Sequence, residues 1–265
     1  MTIDLTRYAV KTAYADVPNQ LRREPNPGLL IRRGITKLSE GSNQDQSGNS
    51  GIEKAKLIET IAKLKASQGY EWAYRRWLAA TTGPLMDSRE LTLSGRLYIG
   101  VVRDNPLETG VTVAQAWGMP FIPGSAQKGV ARQAARRVGM DVDTDRWLFG
   151  EYSSSADGET EEGSETGIVT FHDAWWCPHP QHRPFVADVV TPHHSDYYAE
   201  GANEATDFDS PVPAPQIAVT GGFRFVVSGP DGWRELAMGM LTRALTTIGI
   251  GGKTTTGYGL FHPSA

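Results

Sequence analysis

The sequence predicts an α+β fold whose core runs strand, helix, strand, strand, helix, strand. Three observations carry this. Leu91, Leu93, Leu97, Ile99 and Val101 alternate with other residues, the period of a half-buried strand. Two helical stripes stand apart from each other, one on Val130, Ala131, Ala134, Ala135 and Val138, the other on Ala237, Leu241, Leu245 and Ile248. Short apolar runs, GIVTFHDAWW (167–176), FRFVV (223–227) and Gly257 to His262, fill the remaining strand places.

Taken in order, residues 1–50 read as irregular, with prolines at 18, 25 and 27 and the linker-like SEGSNQDQSGNSG at 39–51. Arg22, Arg23, Arg32, Arg33 and Lys37 make this arm basic. Residues 52–81 read as two helices: Leu57, Ile58, Ile61 and Leu64 form one stripe, Gly69 breaks it, and Trp72, Tyr74 and Trp77 belong to the second. These aromatics are read as packing groups rather than base-stacking platforms. In FIPGSAQKGVARQAARRVGM, Pro123-Gly124 is a turn, Ser125 an N-cap and Gly139 the stop. Lys128, Arg132 and Arg136 recur every four residues on one face of that helix.

The order is the split βαβ, ferredoxin-like arrangement shared with RNA-recognition modules (RRM-like). Residues 1–90 then form a basic arm, linker and helical extension, and residues 91–265 the βαββαβ domain, with insertions at 150–167 and 177–215.

The stretch with most chemical character is GIGGKTTTGYG, Gly249 to Gly259. Glycines permit positive φ and close backbone approach, and successive exposed N–H groups make an anion-binding concavity. Lys253 adds a point charge and Thr254 and its neighbours add hydroxyls, which together suit phosphate. GGKT imitates the end of a nucleotide-binding P-loop. However, that motif needs glycine at position 247, where the chain has Thr247, and it runs from strand to helix. Here the order is helix to strand.

Net charge is −4, but residues 151–167 hold six acids and no base, leaving 26 basic against 24 acidic residues elsewhere. The rest of the chain can therefore carry a basic face, which permits an RNA partner. The N-terminus lacks a signal-peptide pattern and no apolar run approaches a membrane span, so a cytoplasmic protein without membrane contact is expected. The single cysteine, Cys177, excludes an internal disulfide. His172, Cys177, His179, His182, His193 and His194 crowd together, but their spacing matches no zinc motif, so neither metal nor cofactor is expected.

Three of these motifs resemble a known family. GIGGKTTTGYG fits G-h-G-x5-G-h-G, the C-terminal signature of the RAMP superfamily of CRISPR effector complexes, and FIPGSAQKGVAR is similar to its PG-S-x-x-KG helix entry. DVVTPHHSDYY (188–198), followed by DFDSPVPAP, looks like the sixth-subunit family of the type III-B (Cmr) RNA-guided effector. The resemblance spans about residues 91–262. It implies a non-catalytic subunit in antiviral defence that holds the guide RNA (crRNA) toward its 3′ end and contributes to target RNA binding. Its neighbours would be a backbone RAMP subunit and a capping RAMP subunit. Carried onto this chain, Gly249, Gly251, Gly252, Gly257 and Gly259 shape the loop beside RNA, with Lys253 and Thr254 in it. Lys128 contacts phosphate, Ser125 offers a hydroxyl, and Arg132 extends the basic face.

A second reading is a metal-independent endoribonuclease of the RAMP type. His193 and His194, followed by Asp196, supply residue types for a general acid and base. Asp104 lies in the loop after the first strand, where target-cleaving backbone subunits of the family carry their aspartate.

Overall fold

The computed structural model describes residues 25–33, 46–100, 110–151, 166–191 and 213–264. Its centre is an antiparallel sheet of six strands. Strand β1 (Met86–Leu93) pairs with β7 (Gly222–Ser228) on one side and β8 (Phe261–Pro263) on the other. Beyond β7 lie β4 (Ala174–Trp176) and then β2 (Phe121–Ile122), while β3 (Thr170–Phe171) also pairs with β7. A separate hairpin joins β5 (Phe185–Val190) to β6 (Ala214–Val219).

Side-chain alternation across the β1–β7 ladder decides the layers. Leu91 lies opposite Phe223, and Phe225 and Val227 follow on the same face. These side chains are fully buried beneath α4 (Gly124–Arg137) and α6 (Trp233–Thr247), which pack against each other. Ala131, Ala134 and Ala135 of α4 and Ala237, Met238, Leu241 and Leu245 of α6 complete this layer. Phe261 of β8 meets Phe225 edge-on at 5.4 Å, a favoured aromatic geometry.

The opposite face carries Ser88, Glu90, Arg224 and Trp175, and α3 (Gln68–Ala80) covers it. Trp77 stacks on Trp175 at 5.3 Å, Tyr70 stacks on the same indole at 5.9 Å, and the Tyr74 hydroxyl donates to the Cys177 sulfur at 3.2 Å. Tyr74 and Trp77 are therefore packing groups, as expected, whereas Trp72 is 58% exposed. Ahead of α3, helix α2 (Gln46–Ala62) lies on the β5–β6 hairpin, burying Leu57, Ile58 and Ile61.

Several elements differ from the sequence reading. Residues 27–33 form a helix, α1 (Pro27–Arg33), where irregular chain is expected. The Asn26 side chain accepts from Leu29 N–H and donates to the carbonyls of Gln115 and Ala116. Residues 46–51 of the supposed linker are the first turns of α2. The break between α2 and α3 falls before Gly69, at Ser67, whose hydroxyl caps α3 through Tyr70 N–H. The first strand starts at Met86 and stops at Leu93, so the apolar alternation outlasts it. Leu97 and Tyr98 instead make isolated bridges to Val219 and Gly252. A short helix, α5 (Val142–Phe149), follows α4 unannounced, and the β5–β6 hairpin occupies part of the 177–215 insertion. Ser125 is not an N-cap: the capping position is Pro123, which has no side-chain bond to give. The Gly124 N–H donates instead to Asp173 at 2.8 Å.

Two glycines of α4 separate close approach from mere permissiveness. A Cβ on Gly124 would sit 2.0 Å from the Phe171 carbonyl oxygen, whereas one on Gly129 would meet nothing within 4 Å. Gly124→Ala should therefore destabilise by about 1–3 kcal/mol, because backbone cannot rotate away. Gly129→Ala should stabilise by about 0.5–1 kcal/mol through helix propensity. Urea unfolding of the two variants beside the parent protein measures both signs.

Candidate nucleic-acid interface

The glycine-rich loop starts where α6 ends, with Ile248 as its last cap and Gly249 N–H donating to Ala244 O at 2.9 Å. Lys253 follows with φ of 58°, the one non-glycine residue in a left-handed conformation among the described residues. A 3-10 turn, Thr254–Thr256, then leads through Gly257 and Gly259 into β8. Two glycines have identifiable steric causes. A Cβ on Gly251 would lie 2.1 Å from Tyr98 O, and one on Gly259 would lie 1.9 Å from Ile250 O. Both also have positive φ.

These close approaches are hydrogen-bonded seams. Gly252 N–H donates to Tyr98 O and Gly259 N–H to Arg96 O, each at 2.8 Å, and Ile250 N–H closes the loop on Gly259 O at 3.0 Å. The amides of Thr256, Gly257 and Tyr258 are also spent inside the loop. The N–H groups of Gly251, Lys253, Thr254 and Thr255 have no acceptor among the described residues. The loop thus offers a narrower set of donors than its five glycines suggest. Most of its glycines serve the loop's own closure.

Lys253 stands at the exposed corner, its ammonium 5.9 Å from the centre of the Tyr98 ring, within cation–π range. Tyr98 in turn stacks on Tyr258 at 4.8 Å with 20° between planes. Beneath them lies Asp188 of β5. Its Oδ2 accepts from Tyr98 Oη at 2.8 Å and Tyr258 Oη at 3.0 Å, and its Oδ1 accepts from Val189 N–H at 2.8 Å and pairs with Arg96. Burial pushes this carboxyl up, but the Tyr98 hydroxyl, the Val189 N–H, the Tyr258 hydroxyl and Arg96 together outweigh it and hold the pKa below the usual range. Burial, and then the bond to Asp188, raises the Tyr98 hydroxyl. Sequence reading assigned no role to Arg96, Tyr98 or Asp188. Asp188 does open the DVVTPHHSDYY motif, a signal without a partner until the fold supplies one.

The α4 candidates lie on a different element, which packs on α6, the helix that leads into the loop. Ser125 is exposed and Lys128 half-buried. Arg132 is committed: its Nε lies 2.9 Å and its Nη2 2.6 Å from Asp145 Oδ2, and Asp145 is buried. Arg136 reaches the same oxygen at 3.5 Å with an open side chain. Gly129, Arg132, Gln133, Arg136 and Arg137 line a shallow cleft of about 330 Å³. Against one carboxylate this face sets three guanidinium groups, so it remains net positive.

Among the described residues the histidine-rich region spreads out rather than converging. His172 Nε2 pairs with Ser228 Oγ at 2.8 Å, while the rings of His179 and His182 meet at 4.3 Å, tilted by 33°. Burial pushes the Cys177 thiol up to about 12, and the Tyr74 hydroxyl bond opposes it, which leaves a poor metal ligand and nucleophile. Among the described residues no three His, Cys, Asp or Glu side chains are grouped to hold a metal. Asp104, His193 and His194 lie outside the described residues, as do 152–165 of the acidic loop. No helix among the described residues is long and apolar enough to cross a membrane.

Comparison with known proteins follows the same lines. The chain is 27% identical over 291 residues to the CRISPR system Cmr subunit Cmr6 of Pyrococcus furiosus, spanning 88% of this chain and 84% of that one. It is also 27% identical over 257 residues to the Cmr6 subunit of Saccharolobus solfataricus, spanning 93% and 83%. In fold it resembles a chain of the type III-B Cmr-β complex bound to cognate target RNA, with TM-score 0.62 and 21% identity over 97% of this chain and 86% of that one. The profile of the RAMP superfamily matches residues 90–262, and the chain belongs to that superfamily.

Proposed function

We propose that this chain is a non-catalytic, RNA-binding subunit of a type III-B (Cmr) RNA-guided effector. It holds guide RNA toward the 3′ end, contributes to target RNA binding, and sits between a backbone RAMP subunit and a capping RAMP subunit in the cytoplasm. The observation that carries this is the Lys253 corner. An exposed ammonium and neighbouring unspent amides stand on a loop held at both ends by backbone hydrogen bonds. No acidic or amide side chain stands on that loop to read base edges. Such a corner suits a phosphate and ignores sequence, which is what a guide with a variable spacer requires.

The fold supports the same reading. The strand order β4-β7-β1-β8, with α4 and α6 on one face, supports a ferredoxin-like reading of the core. On α4, the open Arg136 and the half-buried Lys128 are the phosphate contacts, while Arg132 holds the helix to α5 through Asp145 and supplies field rather than contact. The RNA is then gripped by a loop and a helix face.

Lys253→Ala should weaken binding of single-stranded RNA about equally for unrelated sequences and lower the salt slope by roughly 0.7, the share of one phosphate contact. Filter binding over a salt series with two unrelated RNAs checks this. An unchanged affinity and slope in a folded protein would remove the loop from the interface. The same protein incubated with labelled RNA in EDTA should leave it uncut, and metal-independent cleavage would establish the endoribonuclease reading instead.

Gly251→Val should do more harm than Lys253→Ala, because it places a branched side chain where even a Cβ lies 2.1 Å from Tyr98 O and φ is +89°. The expected result is a lowered melting temperature together with lost RNA binding, read by circular dichroism beside the binding assay.

A further inference from the structure

Asp188 belongs to the β5–β6 hairpin, yet every side-chain donor it receives comes from the frame of the glycine loop. Arg96 and Tyr98 form the floor, since their carbonyls accept the Gly259 and Gly252 amides. Tyr258 lies within the loop itself. One carboxylate therefore ties three separate stretches of chain, and its side chain is only 7% exposed. Two phenol hydroxyls meeting one oxygen fix the stacked pair Tyr98–Tyr258 in angle as well as distance. Lys253 then rests over the Tyr98 ring, and its own carbonyl is held by the amides of Thr256 and Tyr258 at 3.1 and 3.3 Å. The left-handed turn at Lys253 is costly for a residue with a side chain. It persists because this surrounding frame leaves it no other place.

We propose that Asp188 is a positioning residue for the RNA-contacting loop: from the neighbouring hairpin it locks Tyr98 and Tyr258, and through them sets the pose of Lys253. The inference rests on the reading of the loop given above. Asp188 touches no RNA, and as an anion it would repel a phosphate. Its contribution is preorganisation, which raises affinity by removing the ordering cost from the binding step. The hairpin and the loop are consequently coupled: whatever holds one in place favours the other.

The test compares Lys253→Ala, Asp188→Asn, Tyr258→Phe and the double variant Lys253→Ala/Asp188→Asn in the full chain. Each is titrated with one single-stranded RNA over a salt series and melted in parallel. Asp188→Asn keeps shape but loses charge, and should weaken binding about tenfold with a reduced salt slope. Tyr258→Phe removes one hydroxyl from a half-exposed ring and should weaken it about threefold. The double variant should bind within about twofold of the weaker single variant, because both changes act on the same contact. If Asp188→Asn unfolds, Tyr258→Phe decides alone. Wild-type binding by Tyr258→Phe and by folded Asp188→Asn, while Lys253→Ala is impaired, would overturn the positioning role and leave the loop reading intact. So would effects of Asp188→Asn and Lys253→Ala that multiply. An inert Lys253→Ala would overturn the loop reading itself.

Discussion

Strand β7 is the constraint on which the rest depends. It pairs with β1 along its whole length and with β3 and β4 on its other side. Phe223, Phe225 and Val227 point to one face and are completely removed from water. Three buried side chains of that size supply several kcal/mol, and they fix which way every other strand must turn. Shifting its register by one residue would exchange Phe225 for Arg224 in the core. Arg224 instead spends its guanidinium on Ser88 and Glu90 on the far face.

That far face distinguishes this protein from a simple RNA-recognition sheet. Tyr70, Tyr74 and Trp77 of α3 occupy it, with Trp175 sandwiched against two of them. An open sheet in such folds stacks bases on its aromatic residues. Here the aromatic residues stack on each other, so the faces are used for stability and the edges and loops are left for partners.

Much of this was legible in the sequence because it was written in local periodicity. The stripes on α4 and α6 have a helical period, and their alanines fit the tight α4–α6 contact. The glycine loop was legible because Gly251 and Gly259 are demanded by backbone contacts only glycine tolerates. The β5–β6 hairpin was missed because both strands lie in a polar, proline-rich stretch and the second starts in Ala214-Pro215, which reads as excursion. Helix α5 was missed because Val142 and Trp147, 81% and 62% exposed, break any apolar stripe. Ser125 looked like a cap by residue type, yet the first N–H of the helix, on Gly124, is met by Asp173, 49 positions further on. The Asp188 cluster joins residues 70 and more positions apart, a relation no local pattern can express.

Backbone bonds key the glycine loop to the fold, Gly252 to Tyr98 and Gly259 to Arg96, and Ile250 closes it on Gly259. Between those seams, Thr254, Thr255 and Thr256 lend mainly their backbone to the turn, with Thr256 also donating its hydroxyl to the Lys253 carbonyl at 2.9 Å. Frame and contents are thus separable. The length of the loop is fixed, since an inserted residue would break the seams, but the chemistry displayed at 254–256 is exchangeable without redrawing the chain. The protein therefore carries a three-residue display window in a rigid mount, a place where new contacts can be written one side chain at a time.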